Sequence, residues 1–513
     1  MAASALRLIL FFVSSSLSSS AEHPIYPTLI ISFDAFRYDF TYRIRELVEG
    51  KSGNISNFWR LIRNGAFAEN GINTTFTTLT FPVHYGIATG LYEESHGVVG
   101  NTVYDPVLNR SATLGLANPG NISWVYGGEP IWKTLQQQTP NHSRDRVFGC
   151  LQWIGCEMAD LKRFVPYDNT SRLEDLFDQA VEWIRTGSLL VMLYYPDPDR
   201  TSHVFGPDSK EMNETLLVLD DKVGYLLKKL EDKKMLDKLN LILMADHGAI
   251  AVKKPALNEA QLPADMFDIR SRGQPIWLVE PRPGRSEDTI AYFKSIPHLM
   301  VIEKQKTPER WHYRYSDRIM PLIVLAEPGY TLVKAGQKGS NGFDNALPEM
   351  RPTFVGHGPA FIPRTAVPES VSIVDVYLLV CRFLGLKPAP NNGTEYWFGE
   401  LVRLAYLVDI PEVGPAKDQT TPRPRKNPIR HRVPLIAMAV CVAISLFVLM
   451  VILCYVCFKN FLGSRSSTWP ERIDLLSRNK HGYQEVAGKN EPVVQKPEDG
   501  GRQGTRIIVN GPN

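Results

Sequence analysis

The chain has 513 residues, with Lys+Arg 57 against Asp+Glu 54, a formal net charge of +3. So balanced a charge argues against a binder of nucleic-acid polymers that works through overall basicity. With 44% hydrophobic and 22% charged residues it is neither disordered nor collagenous, and a mean hydropathy of −0.16 excludes a polytopic membrane protein.

Residues 1–21 carry Arg7, the apolar run LILFFV and a serine-rich stretch ending at Ala21, the pattern of a cleaved secretory leader. Residues 22–414 would then form the ectodomain. Eight N-x-[ST] sequons, at Asn54, Asn73, Asn109, Asn121, Asn141, Asn169, Asn213 and Asn392, all lie in it. Cys150, Cys156 and Cys381 are its cysteines. An odd number permits at most one internal disulfide, and Cys150 with Cys156 is the local candidate.

Four apolar runs end in a polar or aromatic residue: TLIISFD (28–34), LLVMLYY (189–195), LNLILMAD (239–246) and IMPLIVLAE (319–327). Such runs predict strands covered on both faces, as in a parallel sheet. Between the second and third, Leu216, Leu219, Val223, Leu226, Leu227 and Leu230 fall on one face of a helix predicted over 214–235. Strand, helix, strand is the pattern of an α/β fold, whose ligands sit at the carboxyl ends of strands.

Residues 415–432 are polar and Pro-rich, a stalk. Residues 433–458 form an uncharged apolar run of 26 residues, long enough for a transmembrane helix. Basic residues flank both of its sides, so the leader and the one-sided sequons set a type I orientation, with the ectodomain outside the plasma membrane. The tail, 459–513, is polar and predicted disordered; ERIDLL and YQEV in it match patterns read by sorting adaptors.

Three clusters carry chemistry: Asp34 in SFDAFR, Asp199 with His203 in DPDRTSH, and Asp246 with His247 in ADHG. One aspartate at a strand end ordinarily caps the next helix. Three such clusters together point instead to a metal site for phosphoryl chemistry.

With these motifs, and with TFPVHYGIATGLYEESHGVVGN, GEPIW, TPERWHYRYSDRIMPLIVLAEPGY, GFDNALPEM and GHGPAF, the chain resembles the ectonucleotide pyrophosphatase/phosphodiesterase family of the alkaline phosphatase superfamily, its single-span members four and five above all. The resemblance implies a central mixed or parallel sheet flanked by helices, two zinc ions, and a nucleotide or other small phosphodiester as ligand. It implies that Thr80 is the nucleophile and a ligand of one zinc with Asp34, Asp246 and His247. Asp199 and His203 would hold the second zinc with a histidine, whose position here is Asn341. Phe81 and Tyr167 match the aromatics that stack the base. Val83 stands where the family has an asparagine expected to donate to a phosphate oxygen. An amide oxygen is a weak zinc ligand, so the second site is expected to be loose or lost. Two readings follow: a cell-surface hydrolase of nucleotide phosphodiester or pyrophosphate bonds releasing a nucleoside monophosphate, or an impaired relative kept for surface binding or adhesion. A sulfatase is disfavoured by Thr80, whereas the shared metal core leaves phosphomonoester and choline-phospholipid hydrolysis open.

Overall fold

The apolar runs at 28–33, 190–195 and 240–244 lie side by side in the centre of one sheet. The computed structural model describes residues 25–115, 122–140, 143–257, 262–333 and 336–394. The leader, stalk, 433–458 run, tail, Asn121 and Asn141 lie outside the described residues. Among the described residues no helix is long and apolar enough to cross a membrane.

Twelve strands matter here: β1 (Thr28–Phe33), β2 (Ala66–Phe67), β3 (Phe148–Leu151), β4 (Phe164–Val165), β5 (Leu190–Tyr195), β6 (Asn240–Met244), β7 (Phe267–Arg272), β8 (Ile276–Pro281), β9 (Leu299–Glu303), β10 (Leu322–Ala326), β11 (Phe354–His357) and β12 (Thr365–Ala366). The large sheet has the order β12-β2-β11-β6-β1-β5-β3-β4. β1 runs parallel to both β5 and β6, while β11 is antiparallel to β6. The sheet is therefore mixed, with a parallel centre.

Period-two alternation explains why these runs are apolar throughout. Leu29, Ile31, Val191, Leu193, Leu241 and Leu243 face one core; Ile30, Leu190, Met192, Ile242 and Met244 face the other. The first core is closed by helices α1 (Phe40–Ser52), α3 (Leu173–Arg185) and α5 (Lys210–Asp232), the second by α2 (Thr80–Thr89) and α7 (Asp375–Phe383). α5 begins before the predicted Glu214 because the Ser209 hydroxyl accepts from the Met212 N–H at 3.1 Å, a helix cap. All six leucine and valine positions predicted to share one face are buried, each worth about 1.5–3 kcal/mol.

The fourth apolar run departs from expectation. β10 belongs to a separate antiparallel sheet, β7-β8-β10-β9, rather than to the parallel centre. It is apolar because both of its faces are covered: Ile323 and Leu325 join the second core, while Leu322 and Val324 join a third cluster with Trp277, Val279 and Phe293 of α6 (Ser286–Lys294). Cys150 and Cys156 form a disulfide, and Cys381 is a buried free thiol. Of the described sequons, Asn54, Asn109, Asn169 and Asn392 are exposed, while the Asn213 amide oxygen accepts from Arg43.

Candidate active site

Because β5, β1 and β6 are adjacent and parallel, their carboxyl ends deliver Asp199, Asp34 and Asp246 to one edge of the sheet. Asp34 follows β1 directly. Ala35 then takes a left-handed φ of 56°, which costs a non-glycine residue of order 1 kcal/mol, and its N–H donates to Asp246 Oδ1 at 3.1 Å. The His247 N–H donates to the same oxygen at 3.0 Å. Asp34 Oδ2 in turn accepts from the Tyr194 hydroxyl at 2.6 Å. Each carboxylate thus has one oxygen anchored. The other oxygen of each, Asp34 Oδ1 and Asp246 Oδ2, is buried without a hydrogen-bond partner.

Those bare oxygens face His247. Its Nδ1 donates to the Gly248 carbonyl at 2.9 Å, so the Nε2 lone pair points into the site. Nε2 lies 3.0 Å from Asp246 Oδ2 and 3.5 Å from Asp34 Oδ1. Thr80, the first residue of α2, brings its hydroxyl to 3.3 Å from Asp34 Oδ2 and 3.4 Å from His247 Nε2. Ligands of a tetrahedral ion at about 2.0–2.1 Å lie roughly 3.3 Å from one another. Asp34, Asp246, His247 and Thr80 therefore fit a divalent metal, and the first three form the group of His/Cys/Asp/Glu residues among the described residues whose ligand atoms all lie within 4.8 Å of one another.

The electrostatics agree with a cation site. Burial, then the neighbouring Asp246 and Asp199, push the Asp34 carboxyl well above the usual carboxylate range. Burial works against the Asp246 charge too, but His247 and His84 hold that group at about 2. Two buried carboxylates face to face need a positive partner.

Sequence reasoning missed three supports. Tyr194 reads as part of an apolar strand, yet it orients Asp34. His84, 0% exposed, places Nδ1 2.8 Å from the Thr80 carbonyl and 3.3 Å from Asp246 Oδ2, and it accepts from or donates to Ser32 at 2.8 Å. Asn101 lines the same cleft as Thr80, and its Oδ1 accepts from the Phe81 N–H at 3.3 Å, which leaves its NH2 as a donor beside Thr80. No spacing marks Asn101 in the sequence.

Asn101 corrects the expectation for Val83. The Val83 side chain is 0% exposed within the second core and does not line the cleft, so its substitution is a packing matter. Val83→Asn is expected to lower stability by about 1–3 kcal/mol, because the new amide would be buried without partners; the shift in unfolding midpoint measures it.

The second half of the site differs. Asp199 and His203, on α4 (Asp199–Phe205), pair with each other at 3.2 Å, and His203 Nδ1 donates to the Gly339 carbonyl at 2.9 Å. Against burial, Asp199 raises the His203 pKa. Asn341 turns its amide nitrogen away from this pair, to His247 Nε2 at 2.9 Å and the Thr78 carbonyl at 3.3 Å. Two ligands remain, which does not fit a tightly held second ion. His357 offers no substitute: it pairs with Leu241, at the opposite end of β6 from Asp246. Phe81 packs its ring against Gly115, and Tyr167 is 51% exposed with its ring 6.2 Å from that of Tyr194. Neither lines the cleft holding Thr80.

Comparison with known proteins agrees with this geometry. Residues 28–358 match the family described as type I phosphodiesterase / nucleotide pyrophosphatase. The chain is 31% identical over 421 residues to human ectonucleotide pyrophosphatase/phosphodiesterase family member 5, covering 79% of this chain and 84% of that protein. It is 33% identical over 414 residues to human bis(5′-adenosyl)-triphosphatase ENPP4, covering 77% and 85%. The solved structure of murine family member 5 superposes with a TM-score of 0.66 at 30% identity, over 73% of this chain and 100% of that one. A second structure of that murine protein, an inactive threonine-to-alanine variant in complex with AMP, gives 0.66 as well, over 74% of this chain and 100% of that one. On the matched span and the identity over it, the chain belongs to the ectonucleotide pyrophosphatase/phosphodiesterase family, within the alkaline phosphatase superfamily.

Proposed function

We propose that this protein hydrolyses phosphodiester and pyrophosphate bonds of nucleotides, with Thr80 as nucleophile and one tightly held zinc ion on Asp34, Asp246 and His247. The observation that carries this reading is the buried convergence of the Thr80 hydroxyl with two bare carboxylate oxygens and the His247 lone pair. When bound, zinc supplies Lewis acidity and lowers the pKa of a coordinated hydroxyl. The remaining steps belong to the chain's own groups. Asp34 Oδ2 accepts the Thr80 hydroxyl hydrogen and aims a lone pair at phosphorus. The amino end of α2 offers partial positive charge to the developing anion. The Asn101 NH2 donates to a phosphate oxygen. Attack forms a Thr80 nucleotidyl ester and expels the leaving group; water then attacks phosphorus, Thr80 recovers its proton, and a nucleoside monophosphate departs.

The 1–21 leader and the 433–458 run support a type I plasma-membrane location for this activity, with the 459–513 tail open to sorting adaptors. The Asn341 contact on His247 favours one further reading, an impaired relative that binds nucleotides at the surface. Full-length protein in detergent, given the p-nitrophenyl ester of thymidine 5′-monophosphate, tests the proposal. Chelation by phenanthroline is expected to cut turnover roughly 100-fold or more, in line with several kcal/mol of charge stabilisation, and added zinc to restore it. A rate indifferent to chelation would sink it.

A further inference from the structure

Thr80 reaches the metal cradle at the end of a segment, residues 74–79, that is tied down at several points. The Thr74 hydroxyl donates to the Asp246 carbonyl at 2.7 Å, Phe76 stacks on Trp311 with 3.8 Å between ring centres, and the Thr78 hydroxyl donates to the Phe343 carbonyl at 2.9 Å. Thr75, between them, is 1% exposed, and its hydroxyl donates to Glu93 Oε1 at 2.5 Å.

Glu93 is itself 0% exposed, and its second oxygen, Oε2, is buried without a hydrogen-bond partner. Burial pushes its carboxyl well above the usual carboxylate range, toward the neutral acid. An unpaired buried oxygen lowers stability, and an apolar pair of the same shape at positions 75 and 93 would avoid that loss. Stability alone therefore gives no reason for an acid here.

Its place in the chain gives one. From Thr75 the backbone passes Thr80, runs the length of α2 to Thr89, reverses at Gly90, whose φ is 67°, and returns as the short helix Glu93–His96, which Glu93 begins. The Thr75–Glu93 bond joins residues 18 apart and closes a loop around the helix that carries Thr80 at its first position. Apolar contact tolerates small slips, whereas a hydrogen bond fixes a distance and an angle. Because Thr74 ties the same segment to Asp246, a slip at Thr75 changes where the Thr80 hydroxyl stands relative to the metal ligands.

We propose that Glu93 is a positioning residue for Thr80, fixing through the Thr75 hydroxyl where residues 74–79 deliver the nucleophile. The proposal rests on the Thr80 reading above and goes beyond it, since Glu93 neither lines the cleft nor joins the Asp34, Asp246 and His247 group.

The test compares full-length protein in detergent with Glu93→Gln, Thr75→Val and the double variant Thr75→Val/Glu93→Met, on the p-nitrophenyl ester of thymidine 5′-monophosphate. A glutamine amide oxygen accepts from Thr75 as the acid does, so Glu93→Gln is expected to keep kcat within about threefold of native. Thr75→Val is expected to lower kcat about tenfold with KM within about threefold, the response to a reacting group displaced by a fraction of an ångström. The double variant is expected to lose no more kcat than Thr75→Val, because both lack the same bond, and to unfold at the native midpoint or above, because no polar atom is left orphaned. If Thr75→Val does not fold, because Glu93 Oε1 loses its partner, the double variant carries the same prediction for kcat. Native kcat in the double variant, or a loss in Glu93→Gln as large as in Thr75→Val, overturns the proposal.

A second arm needs no turnover. Amide hydrogen exchange over residues 74–80, read by mass spectrometry, is expected to run about tenfold faster in the double variant than in native or Glu93→Gln protein. Equal exchange in all three overturns the proposal. Faster exchange in the double variant of a protein that turns over no nucleotide ester upholds the hold of Glu93 on the segment and removes the hydrolase reading instead.

Discussion

Thr80→Ala is expected to lower turnover of the p-nitrophenyl nucleotide by at least about 10³-fold, since Thr80 is the hydroxyl that lines the cleft beside both Asp34 and His247. The thermal midpoint should stay within about 2 °C. That separation follows from what the hydroxyl touches. Its contacts are Asp34 Oδ2 at 3.3 Å and His247 Nε2 at 3.4 Å, and neither depends on it for support. Asp34 Oδ2 keeps the Tyr194 hydroxyl at 2.6 Å, and His247 keeps the Gly248 carbonyl at 2.9 Å. The Thr80 carbonyl, which faces His84, remains in the alanine variant. Turnover within tenfold of the native protein would place the nucleophile elsewhere and end the threonine mechanism.

Asn341→His is expected to raise zinc content from one to two ions per chain and turnover by about 10- to 100-fold, the scale on which a metal site responds to its ligand shell. Metal analysis of the purified native and variant chains measures the first, steady-state kinetics the second. In the native chain the Asn341 amide competes for the same lone pair that a metal needs, 2.9 Å from His247 Nε2. The Thr78 carbonyl at 3.3 Å fixes which end of the amide faces that way. Thr78 also accepts from the Gly342 N–H at 3.0 Å and donates to the Phe343 carbonyl at 2.9 Å, so the segment is pinned on both sides of residue 341. An imidazole there both releases His247 and supplies the third ligand beside Asp199 and His203. Two zinc ions in the native protein, or one in the variant, would contradict this account.

The cluster of Asp34, Asp246 and His247 was legible in the sequence because its aspartates follow apolar runs, and burial on both faces of β1 and β6 writes those runs. Direction is not written in the same way. β10 carries an equally apolar run in an antiparallel sheet, because coverage of its two faces, not its pairing, sets composition. Asn101 and His84 were not legible, since each acts through contacts in three dimensions rather than through spacing. Val83 misled for a related reason. Residues 82–89 of α2 are all buried, so a position three residues past Thr80 is a core position.

The antiparallel sheet has its inner face set into the catalytic core through Ile276, Leu278, Ile323 and Leu325, and its outer face under a cluster of its own. A wall cemented in this way has no hinge at its base. Swinging it aside would expose four buried aliphatic side chains, at about 1.5–3 kcal/mol each. Among the described residues this wall of the cleft is therefore held in place by packing. Selectivity then resides in which molecules dwell there long enough to react, and burst-phase kinetics should show chemistry or product departure, rather than a lid movement, setting the pace.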